Sequence, residues 1–218
     1  IIDYTNKYPN IKKLVASQSA FNNAVYELGM KVNPKKVIIS PSGVVESKEL
    51  MKTKDAKRKD KCLIYFKKRQ NEDLEKVLSF LDQKNINYEI FKYGEYKNSE
   101  LKTAAKESSF GIYMARSETQ GFAVQEMMAC NLPLYVWDDK NLNAKILSEY
   151  YGGGKFSGTS ITYWSDQNGV IVDNFEDFMK NFDFFIDNID FYKPYKLIEK
   201  YLTYEASKKN LIEQFNNF

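Results

Sequence analysis

The segment from Cys62 to Trp137 alternates short apolar runs with segments whose apolar residues recur at helical spacing. The apolar runs predict strands at Cys62–Phe66, Tyr88–Tyr93, Phe110–Met114 and Leu134–Trp137. The segments between them predict helices at Asn71–Lys84, Ser99–Glu107 and Gly121–Cys130. Unbroken apolar runs are typical of parallel strands that are covered on both faces. The alternation therefore predicts an α/β fold with a Rossmann-like, doubly wound parallel sheet.

The flanking segments suggest how the chain divides. A strand at Ile11–Ser17, a helix from Ser17 or Ser19 to Glu27, closed by Gly29, and a strand at Lys36–Ser40 form a small, partial strand-helix-strand unit. Further elements are predicted at Asn141–Tyr150 (helix), Ser160–Trp164 and Val170–Val172 (strands), Phe175–Ile189 (helix) and Pro194–Phe215 (final helix). The predicted division is the end of an N-terminal domain (1–45), a hinge or linker (46–60), a Rossmann-like domain (61–192) and a C-terminal helix (193–218).

Charge and hydropathy disfavour two classes of partner. The formal net charge of +3 is too small to indicate nucleic acid. Between Lys48 and Arg69, ten basic residues stand against three acidic ones; we interpret the first part of this run as a solvated linker, with a nucleic-acid-binding surface as the alternative. No apolar run approaches 18 residues and no signal-peptide pattern is present, so we expect a cytoplasmic protein without a transmembrane segment. Because the sequence begins with Ile, we expect a piece of a longer product.

The residue types argue against a cofactor. The chain has no His, which removes the Ser-His-Asp and Cys-His arrangements and the usual zinc sites. Cys62 and Cys130 stand among apolar residues and are predicted to be buried free thiols. Asp138 and Asp139 at a strand end could hold a magnesium ion, but we prefer a strand-end turn and predict no metal requirement. The glycine-rich segment 152–158 lacks the spacing of a phosphate-binding loop and is predicted to be an ordinary loop.

The strand-to-helix connection after residue 115 carries the strongest functional signal. It contains Glu118 and Glu126 with seven residues between them, a spacing that recurs at Glu205 and Glu213 and is therefore weak by itself. The setting is more informative, because a helix that starts at Gly121 offers unpaired N–H groups and a positive dipole end to an anion. The Glu126 side chain leans toward that N-terminus, where its carboxylate can accept hydrogen bonds from ribose hydroxyls, while Glu118 addresses a second polyol.

Three basic residues, Lys67, Lys68 and Arg69, follow the first predicted strand of the alternation. The carboxyl ends of parallel strands meet at one edge of a sheet, where ligands bind. We therefore expect these side chains to share a crevice with Glu118. Their charges suit a diphosphate, and a merely solvated strand end is the alternative.

The residues around Glu126 resemble a family motif. The run S-E-T-Q-G-F-A-V-Q-E-M-M-A-C-N-L-P-L, residues 117–134, is similar to the glutamate, seven residues, glutamate motif of the retaining GT-B glycosyltransferases, especially glycosyltransferase family 4. In that family the second glutamate precedes a run such as A-M-A-C-G-L-P. The run I-I-S-P-S-G-V at residues 38–44 resembles the hinge between the two domains of such enzymes, and T-S-I-T-Y-W and Y-K-P-Y-K-L-I-E-K-Y-L resemble a branch associated with large DNA viruses and microbes.

The resemblance covers residues 10–218 and implies the end of an N-terminal domain and the whole C-terminal, donor-binding domain of a GT-B enzyme. It implies that Glu118 is the catalytic residue beside the donor sugar and that Glu126 binds the nucleotide ribose. Backbone groups of Gln120, Gly121 and Phe122 would contact the sugar or the diphosphate.

Three departures from the family pattern bear on the site, and the first is that Thr119 and Gln120 stand where the family has a Gly-Phe pair. K-K-R-Q-N-E-D-L stands where the family has G-R-x-x-x-x-K-G, so Lys68 would take about the place of the phosphate-binding Arg, with Lys67 and Arg69 beside it. Asn131 replaces a Gly that needs a left-handed backbone, which Asn tolerates.

The resemblance implies transfer of a hexose from a UDP or GDP sugar to a glycan or other acceptor, with retention of configuration and without a metal. In this family the acceptor site lies largely in the N-terminal domain, most of which this sequence lacks. The alternative is therefore a non-catalytic nucleotide-sugar-binding module that needs another domain for turnover.

Overall fold

The computed structural model of the chain describes residues 12–22, 34–52, 61–141 and 159–217, together with residues 145, 148 and 149. Its strands are β1 (Lys13–Val15), β2 (Val37–Ile39), β3 (Lys61–Lys67), β4 (Asn87–Lys92), β5 (Phe110–Ala115), β6 (Leu134–Trp137) and β7 (Gly169–Val172). Its helices are α1 (Gln18–Asn22), α2 (Asn71–Gln83), α3 (Asn98–Glu107), α4 (Phe122–Ala129), α5 (Phe175–Asp187), α6 (Tyr195–Tyr201) and α7 (Tyr204–Asn216). Short 3-10 turns lie at Pro34–Lys36, Ser47–Glu49, Asp166–Asn168 and Ile189–Phe191.

The larger sheet is parallel throughout, with strand order β4-β3-β5-β6-β7. This order confirms the predicted doubly wound, Rossmann-like α/β fold, with β7 as a fifth strand beyond the alternating four. β1 and β2 form a separate two-stranded parallel sheet, which confirms the small N-terminal unit. Two strands of three residues are too few to be stable alone.

Helices cover both faces of the larger sheet. On one face, α3, α4 and α6 pack through buried residues that include Leu101, Met127 and Ile198. On the other face, α2 and α5 pack through a second buried cluster. Apolar side chains of α5 lie in this second cluster, and Phe178, Phe182 and Phe185 among them are fully buried. Because β3, β5 and β6 are covered on both faces, their sequences are apolar at nearly every position, whereas the edge strand β4 carries Asn87, Glu89 and Lys92.

The backbone at the ends of α4 explains two sequence features. Gly121 precedes the helix with φ of 85°, and a Cβ there would lie 2.9 Å from Cγ1 of Val124. Asn131 follows the helix with φ of 52°, the left-handed geometry predicted for the position where the resembled family has Gly. These two residues delimit the helix, so that it extends neither into the connection from β5 nor into β6.

Two predictions of secondary structure are wrong. Residues 160–164 form bends rather than a strand, because their polar groups bond to Asp138 and Gln120 instead of to a neighbouring strand. The predicted final helix is two helices, α6 and α7. It breaks at Thr203, whose hydroxyl accepts a hydrogen bond from the amide of Ala206 and whose extended backbone bridges to Val45.

Several other predictions fall partly or wholly outside the described residues. These are the continuation of the first helix to Glu27 and its Gly29 end, the second half of the basic linker at 53–60, most of the helix at 141–150 and the glycine-rich loop at 152–158. The predicted domain division stays a prediction. Val44 and Val45, at the end of the predicted N-terminal domain, and Leu50, in the predicted hinge, are buried in the same cluster as α4, so both segments pack on the larger sheet. Within the described ranges, no helix combines the length and the hydropathy that crossing a membrane requires.

Candidate active site

The sheet has a topological switch point between β3 and β5. The connection after β3 leads to α2 on one face of the sheet, whereas the connection after β5 leads to α4 on the opposite face. The two strands pair up to Lys67 and Ala115, and the amide of Arg116 then donates to the carbonyl of Lys67 at 3.1 Å. A crevice at this kind of switch point is the usual ligand site of open α/β sheets. The segments 67–70 and 116–121 therefore meet where a ligand is expected.

Glu118 is held at this crevice by two side chains from the strand ends. Its Oε1 accepts hydrogen bonds from Nζ of Lys67 at 2.7 Å and from the hydroxyl of Tyr113 at 2.9 Å. The side chains of Glu118 and Lys67 are only 9% and 16% exposed, so the pair lies largely out of water. The structure thus brings together two of the predicted site residues and fixes the orientation of the glutamate.

A tyrosine cluster that the sequence did not predict supports Glu118. The rings of Tyr65 and Tyr113 stack with centroids 5.1 Å apart, and the hydroxyls of Tyr96 and Tyr65 are 3.4 Å apart. Burial, followed by the nearby charge of Glu118, holds the pKa of Tyr113 well above its usual range. Tyr113 therefore remains a neutral donor to Glu118. The sequence signal was a tyrosine in each of two predicted strands, but only the register pairs Tyr65 with Tyr113.

The start of α4 has no side-chain cap among the described residues. Gly121 is the residue before the helix, and it has no side chain that could accept from the first turn. Exposed N–H groups at the positive end of a helix dipole can bind an anion or a hydroxyl. Phe122, the first helical residue, is 52% exposed. Gly121 itself is buried, so the accessible part of the predicted backbone site is at Phe122.

Glu126 lies farther along α4 and is held against α3. Its Oε1 accepts a hydrogen bond from Nδ2 of Asn98 at 2.7 Å and lies 3.4 Å from Nζ of Lys102. Burial raises the pKa of Tyr96, and the charges of Glu126 and Glu118 raise it further. The two glutamates of the motif thus act on one tyrosine hydroxyl. Asn98 and Lys102 had no functional signal in the sequence beyond lying four residues apart on a helix.

Gln120 anchors the loop between β5 and α4, residues 116–121, to the segment after β2. Its buried side-chain amide accepts from the amide of Ser42 at 2.9 Å and donates to the carbonyl of Ser42 at 2.7 Å. Its carbonyl accepts from Nε2 of Gln125 and the hydroxyl of Thr162. A second link runs from the hydroxyl of Ser17 to the carbonyl of Thr119 at 2.6 Å. The side chain and carbonyl of Gln120 are thus committed to positioning the loop.

The three predicted basic residues have different surroundings. Lys68 is exposed, has a left-handed backbone with φ of 52°, and places its Nζ 5.8 Å from the centre of the Tyr93 ring. The Nζ of Lys67 lies 4.7 Å from the same ring. Arg69, by contrast, has a side chain only 1% exposed. Its guanidinium bonds to Asp73 at 2.8 Å and to the carbonyl of Trp137 at 2.7 Å, so it joins β3 to α2 and β6.

Asp138 ends β6 as a structural acceptor. Its carboxylate accepts from the amide and hydroxyl of Ser160, at 2.7 and 3.0 Å, and from the hydroxyl of Thr159 at 2.7 Å. The carboxylate of Asp138 thus fastens residues 159 and 160 to the end of β6. Across the residues that the structure describes, no three His, Cys, Asp or Glu side chains converge in a way that could hold a metal ion.

Comparisons with known proteins identify relatives of the fold but not of the sequence. No protein-family model and no curated protein matches the sequence. The lipopolysaccharide outer core galactosyltransferase WaaB, in its apo form, superposes with a TM-score of 0.61 at 11% identity over 94% of this chain and 62% of its own. A point mutant of S. aureus TarM in complex with fondaparinux, alpha-GlcNAc-glycerol and UDP superposes with a TM-score of 0.56 at 12% identity. The match covers 99% of this chain and 45% of the TarM chain.

Sucrose-phosphate synthase from Thermosynechococcus elongatus gives a TM-score of 0.55 at 9% identity over 94% of this chain and 57% of its own. The chain therefore spans between 45% and 62% of the length of these structures. At such low identity the likeness concerns the fold. These structural neighbours are GT-B glycosyltransferases, and the chain shares their Rossmann-like α/β fold.

Proposed function

We propose that the chain is the donor-binding part of a nucleotide-sugar-dependent glycosyltransferase. The observation that carries the proposal is the meeting of Glu118, Lys67 and the uncapped start of α4 at the switch point of the sheet. A carboxylate, a cation and open backbone amides are the groups that a sugar, a diphosphate and a leaving anion require. Neighbours that are themselves glycosyltransferases support this choice among the many functions that Rossmann-like folds serve.

The proposed roles follow the positions of the side chains. Glu126, held by Asn98 on α3, accepts hydrogen bonds from the ribose of the donor nucleotide. Glu118 faces the donor sugar, with its Oε1 fixed by Lys67 and Tyr113. The backbone from Gln120 through Gly121 to Phe122 contacts the sugar or the diphosphate.

Lys67 and Lys68 are proposed to stabilise the charge that develops on the departing diphosphate. Together with the dipole of α4 they supply positive charge without a metal, and we propose a metal-independent reaction. Arg69 is proposed to position the connection after β3 rather than to contact the diphosphate, because its guanidinium is already bonded to Asp73 and to the carbonyl of Trp137. We further propose transfer of a hexose, with retention of configuration, to a glycan or other acceptor, as in the family 4 enzymes whose motif the sequence resembles.

The second candidate is a binding module without turnover. The length of the aligned region favours this candidate, because this chain spans at most 62% of the length of the three neighbours compared above. Among the residues that the structure describes, β1 and β2 pair in a sheet of two strands. In this case the chain binds a nucleotide sugar and needs a further domain to transfer the sugar.

Titration calorimetry with UDP, GDP and a panel of their hexose conjugates tests the shared part of both candidates. We expect binding of at least one nucleotide sugar, and absence of binding to all of them by the folded protein would contradict both. Release of free sugar from the bound donor, followed by chromatography, then separates the candidates. Slow hydrolysis supports the enzyme, whereas binding without hydrolysis supports the module.

A further inference from the structure

An open cleft lies beside β7, at the edge of the larger sheet and away from the switch point. It has a volume of about 610 Å³ and is lined by the segment before β7, by β7 itself, and by the end of α5 with the turn that follows it. We call it the β7 cleft. Its size is that of a small-molecule site, and such sites are typically apolar with a few polar groups. Its aromatic lining residues are Trp164, Phe184, Phe191 and Tyr192, and its polar side chains are those of Asp166 and Asn188.

The aromatic residues of the β7 cleft are open to solvent but rest on the packed core. Phe184 and Phe191 are 61% and 77% exposed. Tyr192 stacks on buried Phe185 with ring centroids 5.5 Å apart, and Trp164 packs against the buried cluster on the α4 face of the sheet. A single exposed phenyl ring is ordinary, whereas several aromatic residues grouped around one cleft are typical of a binding surface.

Polar groups of the same cleft are available to a ligand. The carboxylate of Asp166 has no hydrogen-bond or ion-pair partner within the described ranges of the chain. Asn188 donates from its Nδ2 to the carbonyl of Phe184 at 2.8 Å, so its Oδ1 remains as an acceptor. Asp166 is also the only charged side chain among the described residues that line the cleft. The cleft therefore suits an uncharged ligand that has hydroxyl groups.

The backbone of β7 adds hydrogen-bonding groups but too few for a peptide strand. The carbonyl of Val172 accepts from the amide of Asp138 at 2.9 Å, on the side of β6. Alternate residues of a strand direct their N–H and C=O groups to opposite sides, so those of Ile171 point away from β6. β7 has only four residues, and a peptide that adds to a sheet edge needs a longer row of such groups.

A pyranose ring combines the properties that this lining requires. Its C–H groups stack on aromatic rings, whose faces carry negative charge, and its hydroxyls donate to carboxylate and amide oxygens. We infer that the β7 cleft binds a neutral oligosaccharide through stacked pyranose rings. Its role rests on the proposed function: the site holds the glycan acceptor on the transferase, at a place two strands from β5 and thus about 10 Å across the sheet from it.

Tryptophan fluorescence tests the inference, because the chain has two tryptophans and only Trp164 lines the cleft. Trp137 is 3% exposed, so a change on adding a sugar reports Trp164. The probes are maltohexaose, mannohexaose and N-acetylchitotetraose, with tetragalacturonate as an acidic counterpart. We expect a saturable change with at least one neutral probe. Tetragalacturonate should bind at least about threefold more weakly, because its carboxylates are repelled by Asp166.

Three variants at exposed positions locate the binding. Phe184→Ala and Phe191→Ala should each weaken binding of the neutral probe by about 3- to 10-fold, because each removes a stacking ring. Asp166→Ala should weaken it by about 2- to 10-fold through lost hydrogen bonds. Phe215→Ala is the matched control, since Phe215 is a 48% exposed phenylalanine on α7, and it should change the affinity by less than about 1.5-fold. If circular dichroism shows that Phe184→Ala is unfolded, the other two variants decide.

The inference is overturned if the folded wild type binds none of the three neutral probes, or if the cleft variants bind them as Phe215→Ala does. It is also overturned if the wild type sediments as a dimer that Phe191→Ala dissociates, because a second copy of the chain then occupies the cleft. Calorimetry with nucleotide sugars separates this inference from the proposed function. Nucleotide-sugar binding without oligosaccharide binding overturns the inference alone, whereas oligosaccharide binding without nucleotide-sugar binding supports the cleft and overturns the proposed function.

Discussion

The chain contains two glutamate pairs with the same spacing, and the structure places them in opposite surroundings. Glu118 and Glu126 have side chains only 9% and 11% exposed and bond to residues from other elements of the sheet domain. Glu213 is 60% exposed on α7, with Nζ of Lys209 3.8 Å away on the same helix. Glu205 is also exposed, and the hydroxyl of Ser47 lowers its pKa by hydrogen bonding to it. The same spacing in the sequence therefore does not predict the same structural surroundings.

The helix that carries Glu126 and the helix that carries the second pair also begin differently. Thr203 caps α7, accepting a hydrogen bond from the amide of Ala206 at 3.1 Å. α4 follows Gly121 and has no side-chain cap within the described part of the chain. A capped helix end is satisfied within the protein, whereas an uncapped end at a crevice is open to a ligand. The difference between the two helix ends supports the proposed site at the start of α4 independently of the glutamates.

The largest expected difference between the pairs is in stability. Glu118→Ala should lower the free energy of unfolding by about 3 kcal/mol, because it leaves Lys67 and the hydroxyl of Tyr113 without their partner in a largely buried place. Glu213→Ala should change it by less than about 0.5 kcal/mol, as for an exposed ion pair on one helix. Urea denaturation of both variants measures the contrast.

A double variant sharpens this result. Adding Lys67→Met to Glu118→Ala should recover part of the loss, since the uncompensated charge is then gone. Equal losses for Glu118→Ala and Glu213→Ala would show that the buried pair adds nothing to stability.

The start of α4 should resist a side chain. Gly121→Ala should cost about 2 kcal/mol, because φ of 85° disfavours an L side chain and the new Cβ would meet Val124 at 2.9 Å. Gly94→Ala is the control: its φ is 87°, but no described atom lies within 4 Å of the added Cβ, so only the backbone cost of about 1 kcal/mol remains. Thermal unfolding of the two variants compares them, and an equal cost would mean that Val124 yields freely.

The tyrosine beside Glu118 should make stability depend on alkaline pH. Burial raises the pKa of Tyr113 in the folded protein, so the unfolded chain loses this proton first as the pH rises above about 10. The stability is therefore fully present below that pH and falls above it, by about 1.4 kcal/mol for each pH unit and each such tyrosine. Tyr163, whose pKa burial raises to about 12, adds its share between pH 10 and 12.

Tyr113→Phe isolates the contribution of Tyr113 to this loss of stability at alkaline pH. Its free energy of unfolding should decline less steeply above about pH 10 than that of the wild type, by one proton equivalent. Urea denaturation at about pH 10.0, 10.5 and 11.0 gives the slopes, and identical slopes for the wild type and Tyr113→Phe would contradict the assignment.

The smallest effect is expected at the cap of α7. Thr203→Ala should cost about 1 kcal/mol, because the amide of Ala206 loses its acceptor, whereas Thr203→Ser should retain most of the stability. Thermal unfolding distinguishes the two. If Thr203→Ala is as stable as the wild type, the helix break at Thr203 is set by the bridge to Val45 rather than by the cap.

Local signals in the sequence predicted the fold well. Unbroken apolar runs located β3, β5 and β6, and the resemblance to a motif that has Gly at position 131 predicted the left-handed backbone of Asn131. Both depend on residues adjacent in the chain. The break between α6 and α7 was missed because helical spacing continues through Thr203, and only its contact with Val45 and its cap show the interruption.

The site was less predictable because its partners come from distant segments. The pattern K-K-R could not show that Lys67 reaches Glu118 while Arg69 turns to Asp73 and Trp137. The register that stacks Tyr65 on Tyr113 is likewise invisible in a single sequence. The choice of partner among equal charges is a tertiary property, decided by packing at the strand ends.

The central claim is that the pair at the switch point, and not its copy on α7, binds a nucleotide sugar. The most direct test is titration calorimetry of Glu126→Ala and Glu213→Ala with the nucleotide sugar that the wild type binds. Glu126→Gln serves as a folding control, because its side-chain carbonyl can still accept the hydrogen bond from Asn98. We predict that Glu126→Ala weakens binding by about 10-fold or more, as expected for lost hydrogen bonds to a charged group, and that Glu213→Ala binds as the wild type does. Equal affinity of the two variants would contradict the account.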